Sequence, residues 1–383
     1  MPGVEARLHS AMADIPAATW NRLACPPGEA VNPFVCHEFL LALEQSGSAT
    51  AETGWQPAHV TLDRDGAIVG AVAAYAKHHS YGEYVFDHGW AQAFERAGGR
   101  YYPKLQASIP FTPATGPRLL TGSDVSLKTV LAGALKAVSD RLDLSSVHVT
   151  FQTEEEAALL EAEGFLQRHD QQFHWTNAGY RSFDDFLGEL SSMRRKNLRR
   201  ERREALAPGI EIEHLTGDDL REAHWDAFFR FYMDTGSRKW GTPYLTREFF
   251  SRVGSTMADR ILLVLARRDG RYIAGALNFI GSDTLYGRNW GAIEHHPFLH
   301  FELCYYQAID FAIARGLRVV EAGAQGEHKL ARGYMPVRTR SSHWIAHEGF
   351  RAAVARYLDA ERDRVTGDIE ALKDCAPFRK PSN

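Results

Sequence analysis

Cysteine is scarce in this chain: four residues in 383, Cys25, Cys36, Cys304 and Cys375, with no C-x-x-C pair. That argues against a zinc ribbon or a disulfide framework and suits a reducing compartment. Long apolar runs are missing too. The longest, such as Ile261 to Ala266, fall well short of the roughly 20 residues that a membrane-spanning helix needs. Met1 to Pro16 mixes small and charged residues without an apolar core, so no signal peptide is expected. Charge of one sign is not in excess. Lys and Arg number 44 against 48 Asp and Glu, a net charge of -4. Contact with nucleic acid or a membrane surface would need a local patch. The expectation is a soluble cytoplasmic protein with no transmembrane segment.

What is present is ordinary globular composition, 44% hydrophobic and 24% charged, on a length that suits two or three domains. The pattern opens with helices at Ala17 to Leu23 and Cys36 to Gln45, separated by Cys25-Pro26-Pro27-Gly28. A hairpin follows: strands Ala58 to Leu62 and Ala67 to Ala76 around Asp63-Arg64-Asp65-Gly66. Tyr84 to Phe86 reads as a strand and Phe111 to Pro117 as a loop. Leu127 to Leu142 has helical periodicity, Val147 to Phe151 reads as a strand, and Glu154 to Glu163 as a helix stopped by Gly164.

The second half begins with a strand, Phe173 to Tyr180. Ser182 and Asp185 predict a capped helix start, and a basic helix follows at Ser192 to Leu206. Ile210 to His214 is a strand and Leu220 to Thr235 a helix. Three strands come next, Leu262 to Arg267, Tyr272 to Ile280 and Thr284 to Trp290. A helix runs from Phe298 to Arg315, then a strand, Val319 to Ala322. A short late strand, His343 to Ala346, precedes a polar amphipathic helix, Phe350 to Asp374.

Two stretches repeat. Asp65-Gly66-Ala67-Ile68-Val69-Gly70-Ala71 parallels Asp269-Gly270-Arg271-Tyr272-Ile273-Ala274-Gly275-Ala276, and Tyr81-Gly82 parallels Tyr286-Gly287. A helix and a strand close each half. That order predicts a duplicated α/β unit with a mixed sheet: a hairpin, a crossover helix and a parallel strand.

The unit resembles the GNAT acyltransferase unit, and the chain resembles the Fem-type transferases, which carry two such units in tandem. The residues that carry the likeness are Asp283-Thr284-Leu285-Tyr286-Gly287, the helix with Ala308, Ala312 and Gly316, Val320-Glu321-Ala322-Gly323-Ala324, and Arg332-Gly333-Tyr334. The basic stretch Ser191 to Glu204 also fits. A bacterial N-acyltransferase branch is matched by Ser80 to Phe86, Lys239-Trp240-Gly241 and Gly326 to Gly333. The resemblance implies two GNAT-like units, residues 1–170 and 171–349, the second with the active site, and a C-terminal helix and tail at 350–383. It also implies transfer of an acyl or aminoacyl group to a small-molecule or peptide amine. The donor would be acyl-CoA or aminoacyl-tRNA, with no tightly bound cofactor. Two features depart from the pattern. Gly291-Ala292-Ile293-Glu294-His295-His296-Pro297 stands where a GNAT unit has a Gly-rich pyrophosphate loop, and no long helical arm is evident.

Candidate site residues fall in three places. At the helix entrance, Pro297 suits a first-turn position whose free N–H groups could hold an anion. Glu302 or His300 would take the proton of the amine, and Tyr286 or Tyr305 would protonate the leaving group. The loop Gln325 to Arg332 follows a strand end, where open sheets place ligands. His328 and Glu327 could titrate, and Gln325, Lys329 and Arg332 could bind substrate. Lys239 and Trp240 could form a lid, while Arg288 and Trp290 share a strand face with Tyr286. His78-His79 and Phe111 to Arg118 are further lining candidates. No metal is expected, since Pro297 separates His295 and His296 from His300 and H-E-x-x-H is absent. The run Arg194 to Arg203 is either a solvated face or a tRNA or anionic-lipid contact. The rivals are an acetyl-CoA-dependent N-acetyltransferase and a non-catalytic RNA- or membrane-surface binder on the same fold. The sequence is silent on the oligomeric state.

Overall fold

The computed structural model describes residues 3–207, 209–239, 243–323 and 326–379, without the side chain of Lys239. In chain order its strands are β1 (Val4–His9), β2 (Trp55–Pro57), β3 (His59–Arg64), β4 (Ala67–Val72), β5 (Ala74–Lys77), β6 (Lys104–Ala107) and β7 (Ser146–Thr150), then β8 (Leu166–Thr176), β9 (Glu211–Leu215), β10 (Ile261–Arg268), β11 (Arg271–Ile280), β12 (Thr284–Ala292), β13 (Val319–Glu321) and β14 (Met335–Ile345). The chain forms two units. One is Met1–Asp170 with Arg338–Gly367, the other Gln171–Val337 with Asp368–Asn383.

In the first unit the strand order is β2-β5-β6-β7-β14, beside a small antiparallel sheet β1-β3-β4. β5 and β6 are antiparallel, β6 and β7 parallel, β7 and β14 antiparallel. The helix Leu127–Arg141 buries Leu127, Leu131, Leu135 and Val138 against Leu105, Val147 and Val149. Those four positions recur at helical spacing, which is why the segment was legible as a helix. The expected strand at Tyr84 to Phe86 is instead a loop with Tyr84 left-handed (φ 58). It is held from below by buried Lys104, whose Nζ donates to Glu83 (2.8 Å), Ser80 (2.9 Å) and Asp87. Side-chain anchoring of this kind leaves no hydrophobic periodicity to read.

In the second unit the order is β8-β13-β12-β11-β10-β9. β10 to β12 form an antiparallel meander with β9 antiparallel at its edge, and β12 runs parallel to β13. A helix over 299–314 makes the crossover. It packs Leu303, Tyr306, Ile309 and Ala312 into a core with Leu262, Val264, Ile273, Leu285 and Val320. The fold is thus a mixed α/β arrangement of two GNAT-like units.

The antiparallel–parallel–antiparallel order appears in both units, β5-β6-β7-β14 and β11-β12-β13-β8. The closing strands are exchanged in sequence: residues 174–176 of β8 pair with β13, whereas 341–345 of β14 pair with β7. A split by chain halves therefore misassigns the C-terminus. The helix Glu348–Asp374 is not a separate tail, because most of it belongs to the first unit. β14 is also eleven residues long where four were expected. Its Arg338 and Arg340 alternate with buried Thr339 and Ser341, an alternation that a hydrophobic scale does not register.

Candidate active site

The site grows from three irregularities of the second unit. First, β12 and β13 pair over only three residues, ending at Tyr286 and Glu321, while β12 runs on to Ala292. The sheet forks there. Gly287 sits at the fork, where a Cβ would lie 3.3 Å from the Glu321 carbonyl oxygen and 3.4 Å from Asn278 Oδ1. Second, the register of β11 on β12 shifts between Leu277↔Asn289 and Asn278↔Gly287, which makes Arg288 the extra residue of a bulge. Third, the crossover helix is π-helical over Glu302–Tyr306. A π-turn adds a residue to the helical ring, a feature concentrated at functional sites. It lets His300, Cys304 and Tyr305 all line one cavity.

That cavity, ≈ 120 Å³, is bounded by Asn278, Gly287, Arg288, Asn289, Trp290, His300, Cys304, Tyr305 and Ala322, with Ala276 and Leu277. A wider one, ≈ 390 Å³, is lined by Thr235, Arg238, Glu294, His295, His296, Phe298 and Phe301 among others. Trp290 and His300 line both, packed edge to face at 5.1 Å between ring centres.

Behind the narrower cavity lies a short 3₁₀ helix, Glu327–Arg332. His328 Nε2 is 2.9 Å from the Tyr305 hydroxyl. Burial, with Arg332 and Lys329 nearby, holds the His328 imidazole below its ordinary pKa. Burial lifts the Tyr305 phenol far above its own. Lys329 is buried and donates to the Gly323 carbonyl (2.8 Å); desolvation draws its ammonium down to about 8.

The expected residues divide. Arg288, Trp290 and His300 line the cavities, and His328 is one hydrogen bond behind them. Tyr286 is buried and does not line the cavity, because the bulge at Arg288 interrupts the strict alternation the sequence implied. Arg332 is not held out to a ligand. Its guanidinium pairs with Glu201 (2.9 and 3.0 Å), donates to Tyr306 Oη (3.1 Å) and the His328 carbonyl (2.7 Å), and lies 3.4 Å over the Phe301 ring. Glu302 is likewise enclosed. Arg202 donates to both its oxygens (3.0 and 3.2 Å) and also to Asp310 (2.7 Å), and Gln307 donates to Glu302 at 2.7 Å. Burial pushes the Glu302 carboxyl up despite the arginine. Pro297 does not start the helix; Phe298 takes a left-handed conformation (φ 62), and the Leu299 amide turns back to the His296 carbonyl at 3.3 Å. The anion site expected at those amides is therefore not formed as drawn. The Lys239 side chain, Trp240 and Gln325 lie outside the described residues.

Two members of the site were weakly signalled or missed. Tyr305 was one of several aromatics on a helix. Asn278 is a buried polar residue in an otherwise apolar strand, which was the available signal. Among the described residues no group of three or more metal-ligating side chains converges, and no helix is long and apolar enough to cross a membrane.

Comparisons with known proteins bear on the family and the fold. The FemAB-like family, described as peptidoglycan biosynthesis/recognition, matches residues 11–380. No curated protein matches. Among solved structures, FemX aligns over 92% of this chain and 100% of its own, with a TM-score of 0.54 at 12% identity. L-PGS from Bacillus licheniformis aligns over 87% of this chain and 98% of its own, with a TM-score of 0.51 at 11% identity. At such identity these likenesses are ones of fold. The family match covers nearly the whole chain, and this protein belongs to the FemAB-like family, as an acyltransferase that passes an acyl or aminoacyl group to an amine.

Proposed function

We propose that the transfer takes place in the narrower cavity, directly from an aminoacyl ester to an amine entering from the wider one. The donor carbonyl lies at the fork, where N–H groups of β12 beyond Tyr286 have left the ladder with β13 and can steady the oxyanion. The amine nitrogen attacks the carbonyl carbon. It passes its proton to the Tyr305 hydroxyl as Tyr305 passes its own to His328 Nε2. The C–O bond to the donor then breaks, and the same proton returns through Tyr305 to the leaving oxygen. The relay needs a neutral imidazole, which burial and the two neighbouring cations favour. Arg288 and Trp290 orient the donor and His300 the acceptor. Lys329 lends positive charge from beneath the loop.

The observation that carries this reading is the meeting of fork, bulge and π-turn on one cavity with the Tyr305–His328 pair behind it. The entrance supports the choice of donor. With Phe298 left-handed and the Leu299 amide already bonded, the helix start offers no pyrophosphate cradle, which disfavours a coenzyme A donor. The helix Ser192–Leu206 exposes Lys196, Arg199, Arg200 and Arg203, a patch suited to tRNA phosphates. An aminoacyl-tRNA donor puts the reaction in the cytoplasm.

Purified protein incubated with labelled aminoacyl-tRNA and a panel of small and peptide amines should yield RNase-sensitive transfer. Tyr305→Phe should lower kcat by about two to four orders of magnitude. Transfer from acetyl-CoA with none from tRNA would replace the donor. Transfer from neither, with RNA or vesicle binding abolished by charge reversal at Arg199, Arg200 and Arg203, would replace the enzyme reading with a binder.

A further inference from the structure

The relay residue His328 sits on a turn that is itself held from an element carrying none of the chemistry. Arg332 is the link. Through Nη1 it grips the His328 main-chain carbonyl (2.7 Å), and through Nη2 it grips both oxygens of Glu201 (3.0 and 2.9 Å). Its guanidinium plane is stacked on Phe301, one residue before the π-turn. Glu201 comes from the helix Ser192–Leu206, and a second hydrogen bond ties it to the Tyr306 hydroxyl, inside the π-turn. Both Glu201 and Arg332 are buried, Glu201 at 9% and Arg332 at 6% exposure. With Nε on the Tyr306 hydroxyl (3.1 Å), the three guanidinium nitrogens hold three different groups, which fixes the direction of Arg332 as well as its distance. The pair joins the turn that carries His328 to the helix turn that carries Tyr305.

We propose that Glu201 is a positioning residue for the transfer step: acting through Arg332, it holds the His328 imidazole on the Tyr305 hydroxyl. This rests on the relay proposed above. It assigns Glu201 a role distinct from its exposed basic neighbours Arg199, Arg200 and Arg203, which face solvent on the same helix. It also makes Arg332 a positioning group rather than a ligand for substrate.

The groups facing His328 are the cations of Arg332 and Lys329 on its own turn, and Tyr305, His300 and Phe301 on the crossover helix. Glu201 stands behind Arg332. Removing the cation and removing its counter-charge should therefore move the imidazole in opposite directions. In Arg332→Gln one of the two charges that depress His328 is gone, so its titration and the acid limb of kcat move to higher pH. In Glu201→Gln the arginine stands uncompensated, so both move to lower pH. Arg332→Lys keeps the charge and loses the fork, so the limb stays while kcat falls. In each variant kcat should drop by about a hundredfold with KM for both substrates nearly unchanged, as expected for misplaced reacting groups.

The experiment is a pH–rate profile of the full chain for the three variants, with an NMR titration of the His328 ring and a melting curve for each. Opposite shifts with a kcat-only loss support the proposal. Wild-type kcat in Glu201→Gln overturns it. So does a loss of activity that merely follows lost folding while the His328 midpoint stays put. If the wild-type chain transfers nothing from any donor, the proposed function fails, yet the NMR titration still decides whether Glu201 and Arg332 govern the imidazole.

Discussion

At the scale of single residues, the site is set by which polar groups are already paired and which remain available. His328 and Tyr305 are bonded to one another, and the tyrosine faces a cavity; Glu302, the more obvious acid in the sequence, is spent on Arg202. Two outcomes follow from these pairings. The first concerns pH. The His328 pKa is lowered in the fold, so the imidazole stays neutral, and the relay competent, as pH falls through the ordinary histidine range of about 6.5. Initial rates should hold through that range and decline only below it, and His328→Asn should lower kcat and abolish the limb. The second concerns stability. Arg202→Ala leaves the Glu302 carboxyl buried with no countercharge, which for a buried pair costs about 3–5 kcal/mol. Glu302→Gln keeps a neutral acceptor for the arginine and should melt well above Arg202→Ala in a thermal scan.

At the scale of elements, the cavity exists because three regular elements each break their rule once. Periodicity in the sequence predicted the crossover helix and the β10–β12 meander to within a few residues, since the core faces of these segments carry apolar residues at the expected spacing. The bulge at Arg288 and the π-turn at Glu302–Tyr306 leave that spacing almost untouched, so nothing in the residue order announced them. Gly291 shows how tightly the rear wall is built. A Cβ there would meet the backbone of Phe231 at 2.3 Å and that of Tyr232 at 2.6 Å, in the helix Glu222–Lys239. Gly291→Ala must push helix and strand apart, and it also strains the hydrogen bond from the Ala292 amide to Thr235 Oγ1 (3.1 Å). Overpacking of this kind costs about 1–3 kcal/mol. The expected result is a lower melting temperature and, because Thr235 and Ala292 line the wider cavity, a raised KM for the amine with a smaller change in kcat.

At the scale of the whole molecule, two units of like topology differ at the end of their parallel strand pair. Beyond the parallel pair β6–β7, the place that corresponds to the fork of the second unit is filled by the chain itself. Arg118 donates to the carbonyls of Thr150 (2.9 Å), Gly116 (3.1 Å), Pro117 (3.1 Å) and Ala114 (2.7 Å), and the Gly116 amide donates to the Phe151 carbonyl (3.0 Å). The stretch Phe111 to Arg118, a lining candidate by sequence, is a plug. The interior of this unit also carries a charge cluster in which Lys104, fully enclosed, is shared by Glu83 and Asp87. Lys104→Met would leave two buried carboxyls with no directly bonded cation, only the nearby Lys77, a loss of about 3–5 kcal/mol at neutral pH. The deficit should shrink as pH falls. In the wild type Asp87 is held well below its ordinary range, so its contribution is present above that range and is lost on acidification. The variant's carboxyls, with raised pKa values, are instead least harmful when protonated. Chemical denaturation at acid and at neutral pH measures the difference.

The residue order by itself determined most of the element list and the FemAB-like kinship, because periodic apolar spacing, glycine turns and a few local signatures are properties of short stretches. Only the tertiary structure decided the exchanged closing strands, the pairing of Arg332 with Glu201 and of Glu302 with Arg202, and the hydrogen bond between Tyr305 and His328 behind the cavity. Those outcomes depend on which charges from distant segments meet out of water. Burial makes an unpaired charge too costly to keep, so partners a hundred residues apart in sequence settle which side chains are left free to act.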